Sequence, residues 1–360
     1  MDERALDDLT ELLPPLLTAL ERLNLLARHF DPPRYAQLME AIGEPDAAVR
    51  AQLPRLEAWP ESLADIRQAV RTAADAVIAA FEGLRSAADA EDGLMAVFRA
   101  LRHPPEALEA LYPLAAMLPP VSQLFLEPDK RQDTDLLKRL ADPAPDAEVG
   151  VFHVGNAPDE RGGFSLYVPE DYRPDRAWPL VFALHGGSGH GRGFLWSWLR
   201  TARSHGAILV APTAIGRTWA LAGDDVDSPN LARMVEFVAS RWNIDPDRRL
   251  FCGMSDGGTF AYVSGLETGS PFTHLAPTAA AFHPMLAQFA EPGRLAGLPI
   301  HIVHGARDWM FEVGMAREAA RFLESTGANL TYVELDDLAH SYPGELNPRV
   351  LAWLKETPRN

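Results

Sequence analysis

The sequence feature that could do chemistry is a serine between two glycines, in the segment Gly253 to Gly257 (GMSDG). An apolar run that ends at Cys252 precedes this segment, and small residues that suit a helix follow it. The pattern predicts a strand, a sharp turn and a helix, with Ser255 at the apex in a strained backbone conformation for which the glycines leave room. A hydroxyl exposed in this way at the end of a strand is a candidate nucleophile.

A serine hydroxyl becomes nucleophilic only beside a general base that is itself oriented by a third group. Two later apolar runs, LPIHIV and LTYVEL, are each followed by a suitable side chain, Asp308 after the first and His340 after the second. We predict that His340 takes the proton from Ser255 and that Asp308 fixes the tautomer of His340. The residues that remain as alternatives are one histidine for the base and two aspartates for the acid: His283, Asp336 and Asp337.

Acyl transfer also needs hydrogen-bond donors for the negative charge that develops on the carbonyl oxygen. Upstream, the run WPLVFAL ends in His185-Gly186-Gly187, where a strand should meet a glycine-rich loop. We expect the donors to be the backbone amides of Gly187 and Asp256, with those of Gly186 and Ser188 as substitutes. Because an inward-pointing Asp256 carboxylate would repel the developing charge, we expect it to face away and at most to form part of the pocket wall.

Apolar and aromatic residues cluster near these candidates in the sequence. Such residues are typical of a pocket for an acyl chain or an aromatic ester, although for any one of them ordinary core packing is the alternative. The expected pocket residues are Trp196, Trp219, Met254, His283, Trp309, Met310, Phe311 and Tyr342.

The composition restricts the class of protein. The chain has 360 residues, 47% of them hydrophobic and 23% charged, which is typical of a globular protein long enough for two domains. A net charge of −17 disfavours nucleic acid as a partner. No apolar run approaches the ~18 residues that a membrane span needs. We therefore expect no nucleic-acid partner and no membrane span.

The remaining composition signals concern cofactors and location. No metal-ligand spacing such as His-Glu-x-x-His or Cys-x-x-Cys occurs, and the glycine loop after Leu184 fits neither of the nucleotide-binding patterns. We therefore expect no metal and no cofactor. The single cysteine, Cys252, excludes an internal disulfide, and the N-terminal residues lack the layout of a secretion signal. Cytoplasmic location is the expectation.

Residues 1–145 are expected to form an all-helical domain, because apolar residues recur there at three- and four-residue steps. Pro14 and Pro15 are expected to kink or divide the first helix. The Pro-rich stretch from Asp142 to Asp146 marks the domain boundary, so that 146–360 forms a second domain. The helical domain could cap the site, pair two copies into a homodimer or recruit a partner. The predicted helices are Ala5–Phe30, Pro33–Ile42, Asp46–Leu56, Glu61–Leu84, Ala90–Leu101 and Pro105–Leu118.

From residue 149 onwards, short β-branched and aromatic runs alternate with helical patterns. This alternation predicts an α/β fold, with a mostly parallel sheet and helices on both faces. The glycine-rich turn at 161–163 predicts that the first two strands form an antiparallel hairpin. The predicted strands are Val149–Val154, Phe164–Val168, Leu180–Leu184, Ala207–Val210, Leu250–Cys252, Leu275–Ala279, Ile300–Val303 and Leu330–Leu335. The predicted helices are Arg192–His205, Pro229–Trp242, Gly257–Leu266, Val313–Thr326 and Pro348–Lys355.

Taken together, the serine turn, the His-Gly-Gly strand end and the two strand ends that carry Asp308 and His340 resemble α/β-hydrolase serine esterases. The resemblance covers about residues 149–360 and points to the bacterial carboxylesterase/phospholipase-like and polyhydroxybutyrate-depolymerase-like branches. It implies hydrolysis of small-molecule or polymeric carboxylic esters through an acyl-enzyme. The interval 283–297 is too short for a large lid. The alternatives are a serine peptidase of the same fold and a non-catalytic scaffold in which the helical part binds a partner.

Overall fold

The computed structural model describes residues 3–142, 148–288 and 290–357. The chain divides into two compact units, Met1–Glu127 and Pro128–Asn360. The domain boundary predicted at 145 and 146 lies in 143–147, outside the described residues. The two units differ in class, since the described part of the first is helical and the second contains the sheet.

The first unit begins with one long helix, α1 (Glu3–His29), which runs through Pro14 and Pro15. The prediction was a kink or a division at these prolines, and the division is wrong. The buried stripe that includes Leu9, Leu16 and Leu23 continues across them, and this packing favours an unbroken helix. The other helices of the unit are α2 (Tyr35–Ile42), α3 (Asp46–Gln52), α4 (Ala64–Ala87), α5 (Gly93–Ala100), α6 (His103–Leu111) and α7 (Pro119–Leu124).

The second unit contains a sheet of eight strands. In chain order they are β1 (Gly150–Val154), β2 (Phe164–Val168), β3 (Trp178–Leu184), β4 (Ile208–Pro212), β5 (Ile244–Met254), β6 (His274–Thr278), β7 (Pro299–Gly305) and β8 (Asn329–Leu335). Across the sheet the order is β1-β2-β4-β3-β5-β6-β7-β8. β2 is antiparallel to both of its neighbours, and the strands from β4 to β8 are parallel. Each strand overlaps a predicted one, and the predicted hairpin of the first two is confirmed.

Helices cover both faces of this sheet. The helices are α8 (Thr134–Leu140), α9 (Gly191–His205), α10 (Asp227–Arg241), α11 (Asp256–Gly265), α12 (Pro284–Gln288), α13 (Pro292–Leu295), α14 (Val313–Ser325) and α15 (Asn347–Glu356). α10, α11 and α14 share an apolar core with Leu180 and Phe182 of β3. α9 packs on β2, β3 and β4 and against α15. The predicted α/β-hydrolase fold is confirmed.

Four helices, α7, α8, α12 and α13, are missing from the sequence-based expectation. Each is short, and α7, α12 and α13 begin at a proline, so the proline that signals a loop is here the first helical residue. α12 and α13 occupy most of the interval in which no large lid is expected. Short 3-10 helices are found at Pro32–Arg34, Leu53–Ala58, Glu61–Leu63, Tyr112–Ala116, Pro128–Lys130 and Gly344–Leu346.

The topology determines where a site can form. From β3 the chain crosses through α9 to β4 on one side, and then returns through α10 to β5 on the other side of β3. The carboxyl ends of parallel strands meet at one edge of the sheet, and ligands bind where the strand order reverses. The loops after β3, β5, β7 and β8 carry the candidate residues to this edge.

Candidate active site

Ser255 lies between β5 and α11 with φ of 56° and ψ of −121°, a positive-φ conformation that a serine rarely adopts. A side chain at Gly253 would approach the backbone carbon of Gly257 to 2.6 Å, and one at Gly257 would lie 2.5 Å from the carbonyl oxygen of His185. The Ser255 amide donates to the carbonyl of Thr278 at 3.0 Å. The strained turn expected from the glycines is therefore observed, with its cause.

The structure brings Ser255, His340 and Asp308 together in one chain of hydrogen bonds. The Ser255 Oγ lies 3.1 Å from His340 Nε2, and His340 Nδ1 lies 2.9 Å from Asp308 Oδ2. All three residues are buried, with exposed fractions of 8%, 6% and 7%. With the imidazole proton on Nδ1, that nitrogen donates to the carboxylate and leaves Nε2 to accept from the serine hydroxyl. The arrangement can therefore transfer a proton from serine to histidine.

The Asp308 carboxylate is fixed by its own turn. Its Oδ1 accepts hydrogen bonds from the backbone amides of Met310, at 2.9 Å, and Phe311, at 2.8 Å. Burial opposes ionisation of this carboxyl, but the hydrogen bonds from His340 and from the two amides outweigh it, so the pKa of Asp308 lies below its ordinary value. The group is therefore a carboxylate at neutral pH, the form that stabilises an imidazolium.

A close contact between two loops brings the acid and the base together. The Arg307 amide donates to the carbonyl of Leu338 at 3.0 Å. A side chain at Gly305 would lie 2.2 Å from the same carbonyl oxygen, so glycine is required there. The ring of His340 is also contacted edge-on by two aromatic rings, Trp309 at 5.7 Å and Phe311 at 5.4 Å between centroids.

A second histidine, His304, lies beside the acid and is missing from the residues predicted from the sequence. Its Nε2 donates to the carbonyl of Phe311 at 2.8 Å and lies 3.4 Å from Asp308 Oδ2. The side chain is buried, with an exposed fraction of 1%. The signal that could have revealed it is its position near the end of β7, four residues before Asp308. His304 joins the end of β7 to the turn that carries the acid.

The backbone amides expected to receive the oxyanion differ in their partners. The Ser188 amide donates to the carbonyl of Arg217 at 3.1 Å, so it is not available as a substitute donor. Within the described ranges, the amides of Gly187 and Asp256 have no protein acceptor. A side chain at Gly186 would lie 3.5 Å from the Ser255 Cβ, which shows that this loop passes directly beside the serine.

The side chain of Asp256 lies against this loop, and the expectation that its carboxylate faces away from the developing oxyanion stays a prediction. Its Oδ2 accepts a hydrogen bond from the Thr218 hydroxyl at 2.5 Å. A side chain at Gly187 would lie 2.7 Å from the same oxygen. The carboxylate therefore lies against the loop, where the helix N-terminus and the hydroxyl compensate for its charge.

His185, at the start of the same loop, has a structural role. Burial lowers its pKa to about 3, against a smaller opposing effect of its hydrogen bond to Gly186. The neutral ring donates from Nδ1 to the carbonyl of Gly186, and Nε2 accepts from the Ala214 amide. Trp219 stacks beside the ring at 4.9 Å and donates from Nε1 to the carbonyl of His185. The ring thus connects the loop to the residues that follow β4.

The expected pocket residues fall into two groups. Trp196 and Trp219 are buried, with exposed fractions of 7% and 3%, and pack as core residues. The hydroxyl of Tyr342 donates to Asn347 at 2.8 Å, and its ring packs against Phe194. The side chains that remain at least partly accessible are Met254, His283, Trp309, Met310, Phe311 and Tyr342.

The alternative candidates have other surroundings. His283 is exposed, and its Nδ1 accepts from the Met285 amide at 3.2 Å, whereas the histidine that reaches the serine is His340. Asp336 and Asp337 are exposed at the end of β8. The acid that is hydrogen-bonded to His340 Nδ1 is Asp308.

A cavity of about 340 Å³ lies between the β1–β2 hairpin and α10, and no member of the Ser255–His340–Asp308 chain lines it. Among the described residues, no cluster of His, Cys, Asp or Glu could bind a metal ion. None of the described helices combines the length and apolar character needed to cross a membrane.

Neither a protein-family model nor a curated protein sequence matches this chain. Solved structures that are similar to it include a thermostable esterase, at 21% identity over 58% of this chain and 63% of that chain, with a TM-score of 0.46. The fluorophosphonate-binding serine hydrolase F of Staphylococcus aureus is 14% identical over 57% of this chain and 96% of that chain, with a TM-score of 0.46. A truncated carbohydrate esterase from gut microbiota is 14% identical over 60% of this chain and 98% of that chain, with a TM-score of 0.48.

Proposed function

We propose that this protein is a serine esterase that hydrolyses carboxylic esters through an acyl-enzyme. The observation that carries the proposal is the hydrogen-bonded chain from Ser255 Oγ through His340 to the buried Asp308 carboxylate. A serine at a strained strand-to-helix turn, an imidazole within hydrogen-bond reach of it and an ionised acid are the groups that nucleophilic acyl transfer requires.

In the proposed reaction, Ser255 Oγ attacks the ester carbonyl carbon while its proton passes to His340 Nε2. The carbonyl oxygen becomes an oxyanion, for which the unpaired amides of Gly187 and Asp256 are the donors. When the oxyanion collapses, the bond to the alcohol breaks and His340 returns the proton to the leaving oxygen. A water molecule then attacks the acyl-enzyme with His340 as the base, and this step releases the carboxylic acid and restores the serine. Asp308 stays ionised and stabilises the imidazolium throughout.

We propose an apolar acyl group or an aromatic ester as the substrate. The support is the position of the exposed large hydrophobic side chains in the second unit. Four of them lie on segments that follow strands at the carboxyl edge of the sheet: Ile215 and Val226 after β4, Met285 after β6 and Met310 after β7, each at least 43% exposed. Apolar walls with few polar groups suit an acyl chain.

The test is a substrate panel on the wild type and on Ser255→Ala. The panel contains nitrophenyl esters of increasing acyl length, triglycerides, lysophospholipids and short polyesters, with nitroanilides of the same acyl groups. The expected result is turnover of esters that depends on Ser255 and rises with acyl length, with little turnover of the amides. Anilide turnover at rates near those of the esters would indicate a peptidase instead. A wild type that turns over none of these substrates would contradict the proposal and favour a non-catalytic scaffold.

We also propose a cytoplasmic location and a homodimer, on separate grounds. The one cysteine, Cys252, is free and buried, as expected where thiols stay reduced. Exposed large hydrophobic side chains in the first unit, which a second copy could cover, are Leu6, Leu25, Met95 and Met117. Cell fractionation tests the location. Light scattering of the full chain tests the dimer, and a monomer at micromolar concentration would contradict it.

A further inference from the structure

The segment that follows β4, residues 214–220, contacts the loop that follows β3, residues 185–188, at several points, and we call it the brace segment. The Ala214 amide donates to His185 Nε2 at 3.2 Å, and Trp219 Nε1 donates to the His185 carbonyl at 2.8 Å. In the other direction, the Ser188 amide donates to the carbonyl of Arg217. Residues on both sides of Gly186 and Gly187 are therefore bonded to the brace segment.

A fourth contact of the brace segment is made to the turn that carries Ser255. The Thr218 hydroxyl donates to Oδ2 of Asp256, and the same oxygen lies 2.7 Å from the position that a Gly187 Cβ would occupy. Asp256 follows Ser255 directly, so its backbone amide and that of Gly187 are the two proposed oxyanion donors. One carboxylate thus contacts both parts of the proposed oxyanion hole, and one hydroxyl orients that carboxylate.

The charge of Asp256 makes this orientation consequential. A carboxylate close to a developing oxyanion opposes its formation by Coulomb repulsion, and the size of the effect depends on where the oxygens point. A hydroxyl that donates to Oδ2 draws charge density toward itself and away from the hole. Thr218 is β-branched and therefore restricted in χ1, so its hydroxyl is a rigid donor.

The brace segment is itself fixed at both ends by a buried acid. Asp227, with an exposed fraction of 1%, accepts from the Ile215 amide at 2.9 Å and from the Ala220 amide at 2.9 Å. The neighbouring Asp225 accepts from the amides at the start of α10, as expected of a helix cap. Thr218 therefore projects from a segment whose ends cannot move independently of α10.

We propose that Thr218 is a positioning residue for the oxyanion hole, which acts by orienting the Asp256 carboxylate against Gly187. The proposal rests on the proposed serine esterase function of the same site. Loss of the hydroxyl leaves the carboxylate free to turn toward the oxyanion and leaves Gly187 without its neighbour at a defined distance. The effect falls on the transition state, which carries the negative charge, and not on the neutral bound ester.

The test compares Thr218→Val, which keeps the shape and removes the hydroxyl, with Thr218→Ser, which keeps the hydroxyl. Thr218→Val should lower kcat on a short-chain nitrophenyl ester by about 10- to 100-fold with KM within about 3-fold, because it weakens one part of the oxyanion site. Thr218→Ser should restore most of the loss. Thr326→Val is the matched control, since the Thr326 hydroxyl donates to a backbone carbonyl at the end of α14, away from the site.

A trifluoromethyl ketone inhibitor supplies a readout that a purely structural role would not move. Its adduct with Ser255 carries an oxyanion, so Thr218→Val should raise the inhibition constant in parallel with the loss of kcat/KM. In the Asp256→Ala background, Thr218→Val should lower kcat by less than 3-fold, because the group through which Thr218 acts is gone. If Thr218→Val does not fold, Thr218→Ala takes its place in every comparison.

Three results would overturn the inference: a kcat of Thr218→Val within 2-fold of wild type, an equal loss in Thr218→Ser, or a full loss that persists without Asp256. These results are distinct from failure of the proposed function. That failure would appear as no ester turnover by the wild type, or as turnover that survives Ser255→Ala.

Discussion

The acid–base side and the oxyanion side of the site are positioned in different ways. On the acid–base side, His340 and Asp308 meet through side chains, and Asp308 is fixed by amides two and three residues further along its own turn. On the oxyanion side, the proposed donors are backbone amides, and we infer that their position depends on the brace segment. Side-chain chemistry can be inferred from residue types and their order, whereas backbone chemistry depends on loops whose residues carry no such signal.

The largest effect on kcat is expected from removal of the proposed nucleophile, Ser255, beside which both sides of the site lie. Ser255→Ala should lower kcat by about 10³- to 10⁶-fold with little change in substrate binding, because the nucleophile is lost while the surroundings remain. Steady-state kinetics with the best ester of the panel measures the effect. Ser240→Ala is the control, since this exposed serine only donates to a carbonyl of α10. A loss below 10-fold in Ser255→Ala would exclude this residue as the nucleophile.

The next largest effect on kcat is expected at Asp308, and it distinguishes this residue from the other candidate acids. Asp308→Asn keeps the shape of the acid but should lower kcat by about 10⁴-fold, because the amide no longer holds the imidazole in the reactive tautomer. Asp336→Asn, on the exposed rival at the end of β8, should leave kcat unchanged. Equal losses in the two variants would mean that the acid–base side has been assigned to the wrong carboxylate.

A smaller loss of kcat is expected when only the oxyanion side of the site is changed. Gly187→Ala places a methyl group 2.7 Å from Asp256 Oδ2, so either the loop or the carboxylate must move. We expect kcat to fall by about 10²-fold, as for removal of one oxyanion donor. Gly314→Ala in α14 is the matched control, because an added methyl there meets no atom within 4 Å. Full activity in Gly187→Ala would show that the oxyanion side tolerates displacement, which would remove the contrast between the two sides.

The smallest expected effect concerns stability, at a histidine outside both sides. Burial lowers the pKa of His301 to about 4, from about 6.5 in the unfolded chain. Between these values the unfolded state binds a proton that the folded state does not, so the free energy of unfolding decreases as pH falls. His301→Phe should remove roughly 1–2 kcal/mol of the decrease between pH 7 and pH 5.

Urea titrations at the two pH values measure this difference, and kcat at pH 7 should match the wild type. An unchanged pH dependence of the urea midpoint in the variant would contradict the assignment of this effect to His301.

The sequence was sufficient to predict the sheet and the residues that meet at its carboxyl edge, Ser255, His340 and Asp308. The strands could be predicted because buried parallel strands are continuous apolar runs, and Ser255 because its turn requires glycines at 253 and 257. Thr218 and Asp227 could not be predicted, since nothing in their local sequence distinguishes a loop hydroxyl or a helix-start acid that reaches another loop. The hydrogen bond between the Thr218 hydroxyl and the Asp256 carboxylate could not be predicted for the same reason, as the two residues lie 38 apart in the chain.

The most direct test of the central claim, that Ser255 is activated through His340, is mass spectrometry of the protein after reaction with a fluorophosphonate. We expect a single adduct, on the peptide that contains Ser255. We also expect no adduct in Ser255→Ala and labelling at least 100-fold slower in His340→Ala. An unlabelled wild type, an adduct on another residue, or wild-type labelling rates in His340→Ala would contradict the activation of Ser255 by His340.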